Sequence, residues 1–157
     1  VVLNLSEDRL GETAAFRQEA GLADHVIGFC GELEAEMAGL SREEQQEFLE
    51  SLAMTEPAFL RIIQAAFRLL GRITYFTVGE DEVKAWVIPR GVKAPRAAAA
   101  INKDFERGLI KAEVVSDDDV VACGGILAAA KAAGKVRLES KDYVVADGDI
   151  ISFRFNV

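Results

Sequence analysis

The start of the chain alternates between short apolar runs and one helical stretch. Val1-Val2-Leu3 and Val26-Ile27-Gly28-Phe29 have the length and composition of buried strands. Residues 11–20 between them predict a helix, which Gly21 ends. Strand, helix and strand in this order form the unit of a parallel α/β sheet. The pattern therefore predicts two parallel strands, the first of which ends at Asn4.

Two more helices are predicted before Gly71. Ser41 and Glu44 have the spacing of a capping box, which opens the first of them. Thr55 is placed to act as the N-cap of the second, with Pro57 in its first turn. We expect the two helices to form a helical hairpin, with a domain boundary at Gly71. Apolar residues at helical spacing predict a buried stripe along the second helix, made of Phe59, Leu60, Ile63, Phe67 and Leu70.

Residues 71–157 change to short strands. The segments 74–78 and 83–88 flank a Gly79-Glu80-Asp81 turn and predict a β-hairpin. A helix is predicted next, over residues 96–106. A hairpin, a helix and then more strands predict an α+β β-grasp domain, the ubiquitin-like fold. The remaining expected features are Gly108 as a helix C-cap, a turn capped by Ser116, a short helix at 126–133, and strands at 109–115, 135–138, 142–145 and 150–155.

Charge is distributed unevenly along the 157 residues. The net charge is −8, and residues 1–70 carry all of it, with 5 Lys and Arg against 13 Asp and Glu. Residues 71–157 hold 13 of each and are neutral overall. A sequence-independent phosphate binder carries a basic excess. Residues 1–70 are therefore excluded as a binder of this kind. Residues 71–157 could bind RNA only through a local basic patch.

The chain has two cysteines, Cys30 and Cys123, and one histidine, His25. A structural zinc site takes about four N or S ligands, so we expect no metal site and two half-buried free thiols in a reducing cytoplasm. His25 is interpreted as a surface or strand-edge residue. No apolar run approaches about 18 residues and no signal peptide is visible, so no membrane partner is expected. The abrupt start within a strand favours a fragment of a longer protein.

Asn4-Leu5-Ser6-Glu7 lies at the carboxyl end of the first strand, where open α/β sheets bind ligands. GTPases place an NKxD motif at this position, whose Asp accepts the two N–H donors of guanine. Glu7 is longer than Asp, and Leu5 replaces Lys, so guanine selectivity is expected to weaken. The alternative is a plain helix start, with Ser6 as cap and acidic residues on the helix dipole.

Phe29-Cys30-Gly31 follows the second strand, where GTPases have their last base-contacting loop. Small residues there allow a base to approach backbone N–H groups. The alternative is an ordinary strand-to-helix turn. The nucleotide interpretation requires this loop and the Asn4 loop to lie side by side at one rim of a parallel sheet. The acidic run that follows, Glu32, Glu34 and Glu36, is interpreted as a solvated helix face.

Eight short segments of the second half carry a family resemblance. They are Thr74-Tyr75-Phe76-Thr77, Glu82-Val83-Lys84-Ala85-Trp86, Lys93-Ala94-Pro95, Asp104-Phe105-Glu106-Arg107-Gly108, Lys111-Ala112-Glu113-Val114, Gly134-Lys135-Val136-Arg137-Leu138-Glu139, Asp147-Gly148-Asp149 and Phe153-Arg154-Phe155-Asn156-Val157. In this order they resemble the C-terminal half of the Obg-like ATPases, the YchF family. Residues 71–157 resemble its TGS domain, and residues 1–70 resemble the end of its P-loop nucleotide-binding domain. Asn102 and Ser140 depart from the pattern, which has His and Gly there.

The resemblance implies a ribosome-associated protein that binds and hydrolyses ATP in preference to GTP, with magnesium. It assigns base contacts to Asn4, Leu5, Glu7, Phe29, Cys30 and Gly31. No GxxxxGK[ST] motif is present in residues 1–157. Phosphoryl transfer depends on that phosphate-binding loop. We therefore expect the chain alone to be catalytically inactive and to retain no nucleotide.

The second half is also interpreted as a stand-alone module that binds RNA or a protein. Tyr75, Phe76 and Trp86 would flank an RNA site, or they belong to the core while the cations only balance the nearby acids. A ubiquitin-type protein contact through a sheet face is the third interpretation. The cations proposed for RNA or partner binding are Arg90, Lys93, Arg96, Lys103, Arg107 and Lys111.

Overall fold

The computed structural model describes residues 1–21, 26–79 and 82–156, which form two compact units, Val1–Leu69 and Leu70–Val157. His25 and the Glu80-Asp81 turn lie outside the described residues. The first unit contains β1 (Val2–Asn4), a 3-10 helix (Glu7–Glu12), α1 (Thr13–Glu19), β2 (Ile27–Phe29), α2 (Gly31–Met37), α3 (Arg42–Ser51) and α4 (Ala58–Leu69). The second contains β3 (Arg72–Val78), β4 (Val83–Pro89), α5 (Ala94–Ile101), α6 (Lys103–Gly108), β5 (Leu109–Ser116), α7 (Asp117–Ala122), α8 (Leu127–Ala132), β6 (Arg137–Glu139) and β7 (Asp149–Phe155).

Strands β1 and β2 pair in parallel, which confirms the predicted pair. Leu3 lies opposite Gly28, and Asn4 lies opposite Phe29. A Cβ atom on Gly28 would overlap the side chain of Thr13, at the start of α1. Glycine at this position therefore lets the helix between the two strands pack directly onto β2.

Helix α4 begins in a different way from the prediction. It starts at Ala58, after Pro57, and Thr55 does not cap it. The cap comes from α2, because the Glu34 carboxylate accepts hydrogen bonds from the backbone N–H groups of Ala58 at 2.7 Å and Phe59 at 3.4 Å. The interpretation of the acidic run as a solvated face was therefore wrong for Glu34, which satisfies two helix N–H groups that otherwise lack a partner.

The predicted buried stripe of α4 is wrong within this unit. Phe59, Leu60 and Ile63 expose 52%, 38% and 49% of their surface. The main contact of α4 is with β2, where Arg61 Nη2 donates to the Gly28 carbonyl oxygen at 3.2 Å, and the predicted helical hairpin is not the main packing of α4. Helical periodicity identifies an apolar face but does not say which partner covers it.

The second unit is built on a five-stranded sheet in the order β4-β3-β7-β5-β6. Strands β3 and β7 pair in parallel, and the other neighbours are antiparallel. Val114 and Val115 point to opposite faces of the sheet because side chains alternate along a strand. Val114 belongs to the main core, and Val115 packs with Val120 and Ala130 of α7 and α8. The main core consists of Ile73, Tyr75, Ile88, Ala94, Ala97, Leu109, Ala112, Val114, Val145 and Ile151.

Three predictions in this unit were wrong. The single helix over 96–106 is two helices, because Asn102 is extended and its side-chain oxygen accepts from Asp104 N at 3.0 Å, which caps α6. Gly108 lies inside α6 and is not a C-cap residue, and a Cβ atom there would overlap the carbonyl oxygen of Asn156. The predicted strand at 142–145 makes only an isolated bridge between Val144 and Lys93.

A buried carboxylate organises the turn before β7. Asp149 is only 2% exposed and accepts hydrogen bonds from the Tyr143 hydroxyl at 2.7 Å and from Ala146 N at 2.8 Å. An Arg137 guanidinium nitrogen lies 3.9 Å from the same carboxylate. The charge is therefore hydrogen-bonded and close to a cation, as a buried carboxylate requires.

Replacement of Gly108 by Ala should destabilise the second unit. The new Cβ meets the backbone of Asn156, which cannot move aside like a flexible side chain. We expect a loss of about 1–3 kcal/mol in the free energy of unfolding, measured by denaturant titration. Gly79→Ala is the matched control because its Cβ would make only ordinary contact, at 3.5 Å from the Glu82 carbonyl oxygen. Equal stability of the two variants would contradict the packing described here.

Stability should fall at alkaline pH because of the two tyrosines. Burial raises the pKa of Tyr75, whose hydroxyl donates to the Ala97 carbonyl oxygen, and burial followed by the bond to Asp149 raises the pKa of Tyr143. Below about pH 10 both hydroxyls stay neutral in both states and their full contribution is present. Above that, the unfolded tyrosines ionise before the folded ones, so stability falls by at most about 1.4 kcal/mol per pH unit for Tyr75.

The free energy of unfolding, measured between pH 8 and about pH 11.5, tests this. The variant with both tyrosines changed to phenylalanine should start less stable, since it loses two hydroxyl hydrogen bonds. Its stability should then decline less steeply with pH. An equally steep decline in the double variant would mean that groups other than the two tyrosines cause the loss of stability at alkaline pH.

Candidate functional site

The loops after β1 and β2 lie side by side at one rim of the parallel pair. The side-chain oxygen of Asn4 accepts a hydrogen bond from Gly31 N at 3.0 Å. Leu5 N donates to the Phe29 carbonyl oxygen at 2.8 Å, which extends the strand pairing by one residue. The geometric expectation for the two loops is therefore confirmed, while the role of these residues in binding a base stays a prediction.

Two polar groups at this rim keep their hydrogen-bonding capacity. Asn4 uses its oxygen to hold Gly31, and its side-chain nitrogen has no partner within the described ranges. The exposed Glu7 carboxylate likewise has no hydrogen bond or ion pair there. Ser6 occupies the N-cap position of the 3-10 helix, with Glu7 and Asp8 in its first turn, as the alternative of a plain helix start expects, but the Ser6 side chain makes no capping hydrogen bond. The rim thus presents one amide donor and one carboxylate acceptor.

The packing around position 31 does not require glycine. A Cβ atom at this position would lie 3.5 Å from the Asn4 oxygen and 3.6 Å from the Phe29 ring, which is ordinary van der Waals contact. Leu5 and Phe29 are half-buried and supply apolar surface next to it. A methyl group would therefore fit at this position without a clash.

Cys30 cannot contribute its side chain to the rim. The residue is buried, with 5% of its surface exposed, and its thiol is free. Only its backbone remains for a ligand, which corrects the expectation of a half-buried thiol. Cys123 is the half-buried one of the two.

A cavity of about 600 Å³ lies beside the rim and shares only Glu7 with it. Arg61 from α4 and Thr13 from α1 contribute polar groups to its wall, and Arg61 Nε is buried without a hydrogen-bond partner. Sequence reasoning missed Arg61, because a single arginine on a predicted helix gives no sign that it reaches a strand. The cavity places this guanidinium and the Glu7 carboxylate in the wall of one space.

The six cations of the second unit are not one cluster. Arg96, Lys103 and Arg107 line a groove of about 710 Å³ between β4 and helices α5 and α6. Lys93 pairs with Asp142 at 2.7 Å, outside that groove. Arg90 follows the end of β4 and Lys111 lies on β5, and neither lines the groove.

The aromatic residues expected to flank these cations are mostly engaged elsewhere. Tyr75 is completely buried in the main core, which confirms for this residue the alternative of a core position over a place beside an RNA site. Trp86 is half-buried, donates from its indole nitrogen to Thr77 at 2.9 Å, and has the Lys84 ammonium 4.5 Å from its ring centre. Phe76 is half-buried on β3.

The parts of the chain that the structure describes contain neither a cluster of metal ligands nor a helix that could span a membrane. No group of three or more His, Cys, Asp or Glu side chains is arranged to hold a metal ion in residues 1–21, 26–79 and 82–156. Over the same ranges, no helix combines the length and apolar character needed to cross a bilayer.

Residues 72–156 match the YchF-GTPase_C family, described as "Protein of unknown function (DUF933)". A Bacillus subtilis protein named ribosome-binding ATPase YchF is 47% identical over 99% of this chain and 44% of its own length. The rat protein named Obg-like ATPase 1 is 50% identical over 83% of this chain and 33% of its own length. The chain thus spans less than half the length of these curated relatives.

Solved structures agree with these relatives. The structure titled as the Schizosaccharomyces pombe YchF GTPase superimposes with a TM-score of 0.76 at 30% identity, over 98% of this chain and 42% of that one. A GTP-binding protein from Pyrococcus horikoshii gives a TM-score of 0.59 at 15% identity, over 99% of this chain and 45% of that one. The second match supports the fold alone. The family match and the first structure together support a mixed α/β chain similar to the C-terminal region of YchF proteins.

Replacement of Asn4 by Ala should loosen the second loop of the rim. The variant removes the side-chain oxygen that accepts from Gly31 N, and one such bond is worth about 1 kcal/mol. Amide hydrogen exchange at Gly31, measured by NMR, should speed up about fivefold. Ser6→Ala is the control, since the Ser6 side chain makes no capping bond. Unchanged exchange in Asn4→Ala would mean that the bond does not hold the loop.

Proposed function

This chain belongs to the YchF-GTPase_C family, and from that premise we propose that it is the C-terminal part of a ribosome-associated protein that binds and hydrolyses ATP, or GTP. The single observation that carries the nucleotide part is the hydrogen bond between Asn4 and Gly31. It joins two loops at the carboxyl ends of neighbouring parallel strands, where α/β proteins bind ligands. The names of the relatives supply the ribosome and the ATPase activity.

The fold is proposed in finer detail on the same basis. Residues 1–70 are the end of a P-loop nucleotide-binding domain, supported by the parallel pairing of β1 and β2. Residues 71–157 are a β-grasp domain of the TGS type. The support is a hairpin, β3 and β4, followed by a helix, with β7 parallel to β3 in the middle of the sheet.

The rim reads one edge of the base in this proposal. The free amide nitrogen of Asn4 donates to a ring acceptor, and the Glu7 carboxylate accepts from an N–H donor of the base. Leu5 and Phe29 provide apolar contact, and the space over Gly31 lets the base approach the backbone. Adenine carries an amino group, which is a donor, at the ring position where guanine carries a carbonyl acceptor. The length of the Glu7 side chain therefore determines which of the two bases its carboxylate can bind.

The remaining chemistry needs groups that residues 1–157 do not carry. Magnesium prefers carboxylate oxygens around substrate phosphates, and the described ranges hold no carboxylate cluster for it. No GxxxxGK[ST] motif is present for the phosphates. The proposal therefore gives base recognition to this chain and phosphoryl transfer to the intact protein, with no hydrolysis by residues 1–157 alone.

We assign the docking of a translation partner to the second unit. Support comes from the ribosome-binding names of the relatives and from the three unpaired cations in the groove beside β4. Contact with RNA through all six cations stays a prediction. Only three of them share a surface, and Lys93 is engaged with Asp142.

A change of Leu5 to Lys together with Glu7 to Asp should shift base preference in the full-length gene product. The double variant restores the NKxD pattern that guanine selects, and shortening a recognition group by one methylene changes selectivity by about tenfold or more. The ratio of ATP to GTP dissociation constants, from competition binding, should move towards GTP by about tenfold. The neighbouring Asp8→Glu variant should leave it unchanged.

An unchanged ratio of ATP to GTP dissociation constants in the double variant would mean that this rim does not contact the base. A reading frame without a GxxxxGK[ST] motif upstream of Val1 would remove the hydrolytic part of the proposal.

A further inference from the structure

Strand β4 is an edge strand with a free row of backbone groups. It ends the sheet order and pairs only with β3. Arg90 N donates to the Gly71 carbonyl oxygen, which fixes the alternation of hydrogen-bonded pairs along the hairpin. Val83, Ala85 and Val87 therefore direct their N–H and C=O groups away from β3.

The open edge borders a groove of about 710 Å³. One wall is the end of β4, where Val87 is 51% exposed and Ile88 is buried. The other wall is the surface of α5, where Ala99 and Ala100 keep the groove wide. The groove therefore combines an unpaired strand edge with apolar surface for side chains.

The helical wall of the groove is positively charged. Arg96, Lys103 and Arg107 are exposed and have no ion pair within the described ranges. Asp104 and Glu106 also line the groove, so three cations stand against two carboxylates. The wall has an excess of one positive charge in a chain whose net charge is −8.

We propose that the groove binds an extended peptide segment of a partner protein, which adds to β4 as a further strand and carries acidic residues beside a short apolar run. The inference rests on the docking function assigned above and names the chemistry of the partner. The peptide main chain pairs with Val83, Ala85 and Val87, alternate apolar side chains enter the groove, and the flanking carboxylates meet the three cations. Strand addition of this kind combines affinity from main-chain bonds with specificity from the pockets.

The same surface fits RNA less well. Single-stranded RNA needs exposed aromatic faces on which bases stack. Tyr75 is buried, and Trp86 is half-buried beneath the Lys84 ammonium. A row of unpaired backbone donors and acceptors matches a peptide main chain, which repeats with the same spacing.

Fluorescence anisotropy with the full chain tests the proposal. The probe is a labelled synthetic peptide with a central Val-Ile-Val-Ile run and two aspartates at each end, and the comparison peptide carries lysines at the ends. We expect saturable binding of the acidic peptide and at least about tenfold weaker binding of the basic one. N-methylation of alternate amides in the acidic peptide should abolish binding. Absence of saturable binding up to about 1 mM would overturn the inference.

Variants separate the strand edge from the charges. Val87→Pro removes an N–H group from the free edge without removing a bond to β3, and it should weaken peptide binding about tenfold. Lys103→Glu and Arg107→Glu should each weaken it about fivefold, with less effect at high salt. Lys141→Glu is the matched control because Lys141 is exposed, lies outside the groove and should change binding less than twofold. Equal losses in Lys103→Glu and Lys141→Glu would overturn the groove as the site.

Amide hydrogen exchange gives a readout that charge attraction alone does not produce. Bound peptide should protect the amides of Val83, Ala85 and Val87 and leave that of Trp86, which already bonds to β3, unchanged. A single-stranded RNA of 20 nucleotides is the rival probe. If the RNA binds with a steep salt dependence and the peptide protects none of these amides, the partner is RNA and not a peptide. The docking function of the second unit would then still hold.

Ribosome pelleting with the full-length gene product separates the two failures. Pelleting that survives Val87→Pro and Lys103→Glu would overturn the groove while keeping ribosome association. No pelleting at all would remove the docking function and the inference together.

Discussion

The hydrogen bond between the Asn4 side chain and Gly31 N is the interaction on which the proposed site depends. Parallel pairing brings the ends of β1 and β2 to the same rim, but strand pairing alone does not fix the loops that follow. Asn4 uses its side-chain oxygen for that task, and its side-chain nitrogen has no partner among the described residues. One side chain therefore couples the local geometry of the rim to the polar group that it offers.

The second unit is organised by its edge strands. Its main core lies between the sheet and α5, and α7 and α8 pack with residues of the other face. At one end of the sheet the seven-residue strand β4 pairs on one side only within the described residues, which is costly because unpaired edges attract other chains. A long, partly apolar edge beside three cations without an ion pair in the described ranges is more consistent with a binding surface than with a protected one.

Most of the secondary structure was predictable from local patterns. The capping box at Ser41 and Glu44, the hairpin of β3 and β4, and the parallel pair of β1 and β2 were all confirmed. The prediction of a single helix over 96–106 was wrong because of Asn102. Its side chain accepts from a backbone N–H group and so competes with the helical hydrogen bonds, an effect that does not appear in the apolar periodicity. The same limit hid Glu34, whose cap acts on a helix 24 residues away.

The sequence by itself determined the parallel pair of β1 and β2, the hairpin of β3 and β4, the capping box and the family, because each depends on residues close together in the chain. Tertiary structure alone decided that Asn4 holds Gly31, that Arg61 reaches β2, that the cations divide between a groove and other surfaces, and that α4 keeps an exposed apolar face. These features depend on which distant groups meet in space. Contacts between residues far apart in the sequence follow from packing and topology, and the pattern of polar and apolar residues along the chain does not specify them.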